Sequence, residues 1–500
     1  MLARAPPQSR QTSDRMRESG LRLANFIDGD YRAPLSGAWL AVHEPATGQV
    51  YAEVPDSGSA DIEAAVAAAQ RAQRGWSATA PSARAALLRR IADLLEGQLD
   101  AFAEEESRDS GKPVHVARAV DIPRAVANFR FFAAMAESFT SESHHGEAGT
   151  LNYTLRQPIG SVGCISPWNL PLYLFSWKIA PALAAGNCVI AKPSEVTPVS
   201  AWLLGGILQQ ACLPPGVLNI VHGSGARCGA PLVAHPKIKA VSFTGSTATG
   251  AAIAAATASQ FKKLSLEMGG KNATVVFADC DFERALAESV RATFSNQGQI
   301  CLCGSRVLVE RSLLPRFREA FVERVRALRV GDPRDPGSDI GALVSAAHRD
   351  KVESYIALAH EEGGRLLTGG GRVAPEGRCA QGWFLQPTVF DHLDAHCRVN
   401  QEEIFGPVAT LTPFDDEAQA LAYANSTNYG LACSLWTRDL ERAHRFAAAL
   451  ESGIVWVNCW MARDLRTPFG GVKHSGLGRE GGQEAMRFFT EARNVAIRVN

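Results

Sequence analysis

The sequence has no excess of either charge, because its 51 lysines and arginines are balanced by 51 aspartates and glutamates. It also has no tract rich in lysine and arginine. Binding to nucleic acid or to an anionic membrane surface depends on concentrated positive charge. The sequence therefore predicts neither of these as a partner.

Long hydrophobic runs are absent as well. The longest candidate, residues 179–191, lies between Lys178 and Lys192 and contains Asn187, whereas a membrane-spanning helix needs about 18 or more apolar residues. Hydrophobic residues make up 46% and charged residues 20% of the 500, which is typical of a globular protein with more than one domain. We expect no membrane span.

The eleven cysteines are scattered and odd in number, unlike the dense, even framework of a small disulfide-rich secreted protein. They predict free thiols and a cytoplasmic protein. Residues 1–20 are rich in arginine, glutamine, serine and proline and lack the apolar core of a signal peptide. We interpret them as a disordered extension, with an organellar presequence as the alternative.

Short β-branched runs alternate with helical segments beyond residue 160, a pattern typical of a parallel sheet covered by helices. The predicted strands are 162–165, 188–191, 217–221, 240–243, 263–266, 273–277, 307–310, 389–390, 432–436 and 454–458. They predict two α/β domains that meet near Glu267.

Three local patterns complete the predicted secondary structure. Helical spacing predicts helices over 61–76 and 82–99. The pair Thr197-Pro198 predicts a helix start, with the threonine hydroxyl as cap and proline at the first helical position. Alternation at 151–155, and again at 495, 497 and 499, predicts a strand arm that pairs outside the main domains. Such an arm suits an oligomer.

Cys301 stands out among the cysteines because it follows Asn296-Gln297-Gly298-Gln299-Ile300, a glycine-containing polar stretch between a predicted helix and a predicted strand. Glycine permits close backbone approach by a ligand. Cys303 two residues later invites a metal or disulfide interpretation, but no histidine or second cysteine pair stands at ligand spacing. We therefore expect no metal site.

Several further motifs carry a resemblance that covers nearly the whole chain, from about Asn25 to the C-terminus. They are Pro167-Trp168-Asn169-Leu170-Pro171, Lys192-Pro193-Ser194-Glu195, Phe243-Thr244-Gly245-Ser246, Leu266-Glu267-Met268-Gly269-Gly270-Lys271, Gly298-Gln299-Ile300-Cys301, Glu403-Ile404-Phe405-Gly406-Pro407 and Pro468-Phe469-Gly470-Gly471. In these motifs, their order and their spacing, the sequence resembles the aldehyde dehydrogenase superfamily.

The resemblance implies an α/β architecture, the aldehyde dehydrogenase fold, with a Rossmann-like cofactor domain. It places the NAD-binding domain at residues 21–140 and 159–266, the α/β catalytic domain at 267–470, and a β-strand oligomerisation arm at 141–158 and 485–500. It also implies a homodimer or a homotetramer, and leaves the choice between them open.

The resemblance assigns three catalytic residues. Cys301 matches the nucleophile that forms a tetrahedral adduct with the aldehyde. Asn169 matches the side-chain donor to the oxyanion of that adduct, acting with the backbone amide of Cys301. Glu267 matches the general base that activates water against the later thioester. Lys178 and Glu480 match positions proposed to relay protons to or from that base.

The usual Gly-x-Gly-x-x-Gly fingerprint after the first strand is absent, so the cofactor site follows from the resemblance. It implies that Gly245 and Ser246 hold a pyrophosphate at a helix N-terminus. Lys192 and Glu195 match residues that bind the adenosine ribose, where a carboxylate favours NAD over NADP. The remaining implied cofactor contacts are Trp168, Glu403 and Phe405.

Two arginines bear on the substrate. The resemblance places Arg124 and Arg463 along the substrate tunnel, where many family members carry apolar or aromatic side chains. Paired guanidinium groups suit a substrate with acidic groups. For each arginine the alternative is an ordinary ion pair, Arg124 with Asp121 or Arg463 with Asp464.

Two segments contain these arginines, Asp121-Ile122-Pro123-Arg124 and Asn458-Cys459-Trp460-Met461-Ala462-Arg463-Asp464-Leu465. In them the sequence looks like the subfamily of 2-aminomuconic and 2-hydroxymuconic semialdehyde dehydrogenases. It implies oxidation of a dicarboxylate semialdehyde, 2-aminomuconate 6-semialdehyde to 2-aminomuconate, through a thiohemiacetal and a thioester on Cys301. Such a reaction belongs to aromatic-compound or tryptophan (kynurenine) degradation. Open alternatives are 2-hydroxymuconate semialdehyde, neutral or cationic aldehydes such as retinal or betaine aldehyde, a cofactor-free thiol esterase, and a structural protein that kept only the fold.

Overall fold

The computed structural model describes residues 20–498. The predicted disordered extension, residues 1–20, lies outside the described residues except for Gly20. Between residues 20 and 498 no helix is both long enough and apolar enough to cross a membrane.

The chain up to Glu267 contains twelve strands and nine helices within the described residues. The strands are β1 (Leu21–Arg22), β2 (Asn25–Ile27), β3 (Asp30–Arg32), β4 (Trp39–Glu44), β5 (Gln49–Pro55), β6 (Ser143–His145), β7 (Thr150–Pro158), β8 (Ser161–Ile165), β9 (Cys188–Lys192), β10 (Leu218–Ile220), β11 (Ala240–Thr244) and β12 (Lys263–Glu267). The helices are α1 (Ser59–Ala78), α2 (Pro81–Glu96), α3 (Leu99–Ser110), α4 (Val114–Val116), α5 (Ile122–Ser138), α6 (Pro171–Ala184), α7 (Val199–Gln210), α8 (Ala230–Ala234) and α9 (Thr247–Thr257).

The rest of the chain alternates in the same way. Its strands are β13 (Ala273–Val276), β14 (Arg306–Glu310), β15 (Arg365–Thr368), β16 (Arg372–Val373), β17 (Phe384–Leu385), β18 (Thr388–Asp391), β19 (Val408–Phe414), β20 (Tyr429–Gly430), β21 (Ala432–Trp436), β22 (Ile454–Val457), β23 (Val472–Lys473), β24 (Gly476–Leu477) and β25 (Thr490–Arg498). Its helices are α10 (Phe282–Phe294), α11 (Leu314–Arg326), α12 (Ala346–Glu361), α13 (Arg398–Gln401), α14 (Glu417–Asn425), α15 (Leu440–Ala449) and α16 (Gly482–Phe488).

The first large sheet has the order β24-β12-β11-β8-β9-β10-β2-β3. Its five central strands, β12 to β10 in that order, run parallel. The chain builds outward from β8 through β9 to β10, and then returns to the other side of β8 to add β11 and β12. The strand order therefore reverses between β8 and β11, and ligands bind beyond the carboxyl ends of the strands at such a point.

The second large sheet has the order β15-β18-β19-β14-β13-β21-β22, and the chain passes to it between Glu267 and Ala273. All ten predicted strands are present, with ends that shift by one residue at most. The central strand β19 was not predicted because Thr410 and Thr412 interrupt its apolar run. Both threonines are buried, and the Thr410 hydroxyl donates to Asn400 Oδ1 at 2.6 Å.

Two predicted helix boundaries are wrong. The helix predicted over 82–99 ends at Glu96, and Leu99 begins a separate helix, α3. The Thr197 hydroxyl does not cap α7, because it donates to the Trp168 carbonyl at 3.1 Å. Instead the Asp109 carboxylate accepts a hydrogen bond from the Val199 amide at 2.8 Å, and α7 begins after Pro198.

A smaller sheet, β25-β7-β6, shares no strand with the two large ones. Strand β25 pairs antiparallel with β7 along its whole length, from Thr490 opposite Pro158 to Arg498 opposite Thr150. The arm predicted over 485–500 begins only at Thr490, because residues 482–488 form α16.

Candidate active site

A cavity of about 240 Å³ opens beyond the carboxyl ends of β8 and β11, where the strand order reverses. Seven of the twelve predicted site residues line it: Trp168, Asn169, Gly245, Ser246, Cys301, Glu403 and Phe405. The other five do not line this cavity: Arg124, Lys192, Glu195, Glu267 and Arg463.

Cys301 lies in a turn between α10 and β14. The turn begins with two residues in the left-handed region, Asn296 (φ 52°) and Gln297 (φ 58°), a strained arrangement that the surrounding structure must hold. Asn272 Nδ2 donates to the carbonyls of Cys301 at 2.6 Å and Cys303 at 3.0 Å. Asn272, in the loop between β12 and β13, therefore fixes the position of the turn that carries Cys301.

Burial raises the pKa of the Cys301 thiol, and the carboxylates of Glu403 and Glu267 raise it further, while the charge of Arg463 opposes them. Each of the eleven cysteines lies within residues 20–498 and is a free thiol. Across the same residues no cluster of three or more histidine, cysteine or acidic side chains is arranged to hold a metal.

Asn169 lies on the loop between β8 and α6 and is buried. One N–H of its Nδ2 donates to the Gln299 carbonyl at 2.9 Å, which leaves the second N–H for a ligand. Its backbone carbonyl accepts from Lys112 Nζ and from Asn296 Nδ2, each at 3.1 Å. These two hydrogen bonds therefore hold the backbone of Asn169 in place.

Glu267 ends β12 and is buried, yet neither of its carboxylate oxygens has a hydrogen-bond partner among the described residues. Burial raises its pKa well above the ordinary value, and the nearby charge of Glu480 raises it further. Gly470 (φ 154°) lies against this carboxylate, since a Cβ built on it would come 2.6 Å from Oε1. A buried carboxyl without a partner is the kind of group that can exchange a proton with a bound reactant.

Lys178 and Glu480 form a buried ion pair at 2.7 Å behind Glu267. The Ser242 hydroxyl joins them, because it accepts from Lys178 Nζ at 3.1 Å and donates to Glu480 Oε1 at 3.0 Å. The two residues predicted as a proton relay therefore contact each other, and Glu480 affects Glu267 through its charge.

The N-terminus of α9 faces the cavity directly after β11. Ser246 caps this helix by accepting from the Thr249 amide at 3.2 Å. Gly245 allows the Phe243 ring to pack against the start of this helix, because a Cβ there would lie 2.4 Å from that ring. Unpaired amides at a helix N-terminus bind anionic groups such as phosphate.

Lys192 is the last residue of β9, which pairs with β8, and Glu195 lies on the loop that follows. Lys192 Nζ donates to Glu195 Oε2 at 3.0 Å and to the Pro193 carbonyl at 3.1 Å. The lysine is buried, whereas 31% of the Glu195 side chain is exposed, so this carboxylate remains available to ribose hydroxyls.

Glu403 reaches the cavity beside Cys301. Its Oε1 accepts from the Gly270 amide at 2.9 Å, and Gly269 makes room for it, since a Cβ there would lie 2.1 Å from Oε2. The backbone of Phe405 is left-handed (φ 63°). Its ring meets the Trp168 ring edge-on at 5.2 Å, which forms an aromatic wall.

Two further residues that line the cavity, His348 and Lys351, were not predicted from the sequence. His348 Nε2 lies 2.7 Å from the Phe405 carbonyl, and Lys351 Nζ donates to the Glu403 carbonyl at 3.1 Å. Burial lowers the pKa of His348 to about 4. Their spacing of three residues on α12 puts them on one helix face, and that spacing was the only signal available.

These features together fit a dinucleotide. The N-terminus of α9 and the Glu403 carboxylate line the cavity beside Cys301. The partly exposed Glu195 carboxylate follows the neighbouring strand β9. Gly245 and Gly269 lack side chains that would clash with Phe243 and Glu403 in this arrangement.

Arg124 and Arg463 meet at the Trp177 ring, with guanidinium carbons 5.4 and 5.9 Å from its centroid. Neither arginine forms an ion pair with any carboxylate among residues 20–498. The ion pairs considered from the sequence are not formed, because Asp121 pairs with Lys112 and Asp464 with Arg466. Arg124 Nη2 is buried and has no hydrogen-bond partner in this part of the chain.

Comparison with known proteins agrees with this geometry. Residues 32–495 match the model of the aldehyde dehydrogenase family. The chain belongs to the aldehyde dehydrogenase family. It is therefore an aldehyde-oxidising enzyme of a family that uses NAD.

Relatives of this aldehyde dehydrogenase include enzymes with named substrates. The 2-aminomuconic semialdehyde dehydrogenase of Danio rerio is 49% identical over 481 residues, which are 96% of this chain and 98% of the relative. The 2-hydroxymuconic semialdehyde dehydrogenase of Pseudomonas sp. (strain CF600) is 45% identical, over 95% of this chain and 99% of the relative. The solved structure of PnpE in complex with nicotinamide adenine dinucleotide superposes with a TM-score of 0.94 at 41% identity, over 96% of this chain and 98% of that one.

Proposed function

We propose that this enzyme oxidises an acidic six-carbon semialdehyde, 2-aminomuconate 6-semialdehyde, to 2-aminomuconate with NAD. The observation that carries the substrate class is the pair Arg124 and Arg463, two guanidinium groups at the Trp177 ring without a carboxylate partner among residues 20–498. The names of relatives 45–49% identical support the same class.

Electrostatics favours an anion at this pair. Burial lowers the pKa of Arg124, and the charge of Arg463 lowers it further, so the two cations repel each other. A carboxylate between them would replace this repulsion by charge-assisted hydrogen bonds, which guanidinium groups form in a planar fork. The charge of Arg463 also reaches the Cys301 thiol, which puts the anion site within range of the nucleophile.

In the proposed mechanism, the Cys301 thiol releases its proton to solvent, and the resulting thiolate attacks the aldehyde carbon. A C–S bond forms, the C=O bond becomes a C–O⁻ bond, and a tetrahedral thiohemiacetal results. The negative charge on its oxygen is stabilised by the free N–H of Asn169 Nδ2 and by the Cys301 backbone amide. NAD, when bound, supplies the hydride acceptor that converts this adduct to a thioester. Glu267 then takes a proton from water as the water attacks the thioester carbon. The C–S bond breaks, and the carboxylic acid and the Cys301 thiolate are released.

The cofactor contacts belong to the same proposal. Gly245 and Ser246 would hold the pyrophosphate at the start of α9, and Lys192 with Glu195 would hold the adenosine ribose. Glu403 would hold the second ribose, with Trp168 and Phe405 packing beside it. Glu195 would repel a 2′-phosphate, which favours NAD over NADP.

Arg463→Ala should lower kcat/KM for an acidic semialdehyde by roughly ten- to a hundredfold, the value of one charge-assisted hydrogen bond. Steady-state kinetics with hexanal in place of the semialdehyde should show little change. Arg466→Ala is the matched control, because Arg466 lies on the same loop and pairs with Asp464 instead. An equal loss with hexanal, or an equal loss in the control, would argue against carboxylate recognition by Arg463.

The raised pKa of Glu267 predicts the pH dependence of turnover. A carboxyl accepts a proton only when it is deprotonated, so thioester hydrolysis should accelerate as the pH rises through the elevated pKa of Glu267. Glu267→Gln should remove this rise of the rate with pH. The variant should still give a burst of NADH, but its later turnover should be slower by roughly 10²–10⁴. Stopped-flow absorbance across pH checks both points, and an unaltered pH profile in the variant would refute the assignment.

Two alternatives for the substrate stay open to direct assay. A 2-amino and a 2-hydroxy semialdehyde present the same acidic end, so the two substrates must be compared side by side. Preference for neutral or cationic aldehydes would contradict the role of the arginine pair. Thiol esterase activity without NADH formation would contradict the dehydrogenase chemistry.

We further propose that the protein is a cytoplasmic homodimer or homotetramer. Strands β6 and β25 are largely exposed, and α9 presents a row of exposed alanines without a charged side chain. Phe261, 93% exposed, follows this helix. An uncharged apolar face suits a second copy of the chain, and a monomer mass by sedimentation equilibrium would contradict the proposal.

A further inference from the structure

Asn128 lies one helical turn after Arg124 on α5 and is fully buried. Its Oδ1 accepts from Arg124 Nε at 3.2 Å. Its Nδ2 donates to the Tyr173 carbonyl at 3.1 Å and to the Ser176 hydroxyl at 3.0 Å. One buried amide therefore connects the first substrate arginine to the helix α6 that follows the oxyanion loop.

The orientation of this amide is determined by its neighbours. The Tyr173 carbonyl can only accept, so the nitrogen of Asn128 must face it, and Arg124 Nε can only donate, so the oxygen must face the arginine. The Ser176 hydroxyl donates to the Tyr173 carbonyl at 2.9 Å, which leaves its lone pairs for Asn128. Both polar atoms of the Asn128 amide, the Ser176 hydroxyl and Arg124 Nε therefore have partners, and such a buried network holds the amide in one orientation.

The hydrogen bonds of Asn128 determine which N–H groups of the Arg124 guanidinium remain available to a ligand. Because Nε is committed to Asn128, the remaining donor pair is the end formed by Nη1 and Nη2. Nη2 is buried and has no hydrogen-bond partner among residues 20–498. The guanidinium also lies 5.3 Å from the Tyr173 ring centroid, so its plane is confined by the same helix.

We propose that Asn128 is a positioning residue for substrate specificity, which holds Arg124 with its Nη1–Nη2 end toward the carboxylate of the semialdehyde. The inference rests on the proposed function. An arginine held in its binding orientation loses less side-chain freedom when the substrate arrives. Asn128 acts through Arg124 and contacts no reacting atom.

The test is a double-mutant cycle of Asn128→Leu and Arg124→Met, read as the ratio of kcat/KM for 2-hydroxymuconate 6-semialdehyde to that for hexanal. Asn128→Leu removes the acceptor for Nε while it keeps the side-chain volume and the arginine charge. The ratio should fall about tenfold, mainly through KM for the acidic substrate. In the Arg124→Met background the same change should have no further effect on the ratio.

Asn128→Asp keeps the test decisive if the leucine variant does not fold. Its carboxylate can still accept from Nε, but it neutralises the arginine, so the ratio should fall further than in Asn128→Leu. Arg130→Met is the matched control on the same helix, because Arg130 faces outward and pairs with Asp93 and Glu96. This control should leave the ratio unchanged.

The outcomes separate the inference from the function on which it rests. If Arg124→Met leaves the ratio unchanged, the proposed acidic substrate is wrong. If Arg124→Met lowers the ratio but Asn128→Leu and Asn128→Asp do not, the positioning role is wrong. If Asn128→Leu lowers kcat/KM equally for both aldehydes, or acts equally in the Arg124→Met background, Asn128 is only a structural residue.

Discussion

Cys301→Ala should abolish aldehyde oxidation, with kcat lower by on the order of 10⁶, the scale seen when an enzyme loses its covalent nucleophile. The reason is chemical: without the sulfur no tetrahedral adduct forms, and an aldehyde carbon cannot release hydride from a planar state. Single-turnover measurement of NADH checks this directly. NAD binding should survive, because no predicted cofactor contact depends on the Cys301 side chain.

Cys303→Ala is the matched control for this experiment. Cys303 lies two residues away and is buried, with its sulfur 3.9 Å from the Ser295 carbonyl. It does not line the cavity, so its removal should leave turnover close to that of the unaltered enzyme. If Cys303→Ala were as inactive as Cys301→Ala, loss of turn geometry would explain both results, and Cys301 would lose its assignment.

Asn169→Ala should lower kcat by roughly 10²–10³, the effect of removing one oxyanion donor. The effect should fall on turnover rather than on NAD binding, because the amide acts on charge that develops only after the sulfur attacks. Stopped-flow measurement of the NADH burst separates adduct formation from the later hydrolysis.

The structure limits the alternative explanation that Asn169→Ala simply distorts the loop. The Asn169 carbonyl would still accept from Lys112 and Asn296. The Gln299 carbonyl would still accept from Asn296 Nδ2 at 3.2 Å. A variant with unchanged kcat would show that the Asn169 amide does not bind the oxyanion.

The sequence was sufficient for the parallel sheets because their strands are short apolar β-branched runs between helices. It failed where polar residues are buried in pairs. Strand β19 was missed because Thr410 is buried against Asn400, and the cap of α7 was wrong because Asp109, ninety residues earlier in the chain, takes the place of Thr197. Such long-range polar pairs leave no local pattern.

In the candidate site, too, local motifs could be recognised in the sequence, whereas contacts between distant residues could not. Motifs around Cys301, Asn169 and Glu403 identified residues that the structure brings to one cavity. The residues that hold them in place, Asn272 behind Cys301 and Lys112 behind Asn169, could not be found from the sequence. Their partners are 29 and 57 residues away along the chain, and no spacing rule connects them.

We expect this enzyme to be an NAD-dependent dehydrogenase that selects acidic semialdehydes. The most direct test is the rate of NADH formation by the purified protein with NAD and 2-aminomuconate 6-semialdehyde, 2-hydroxymuconate 6-semialdehyde or hexanal. We expect NADH with the acidic semialdehydes at a kcat/KM at least roughly tenfold above that for hexanal. Absence of NADH with every aldehyde would contradict the dehydrogenase activity. An equal or higher kcat/KM for hexanal would contradict the selectivity for acidic semialdehydes.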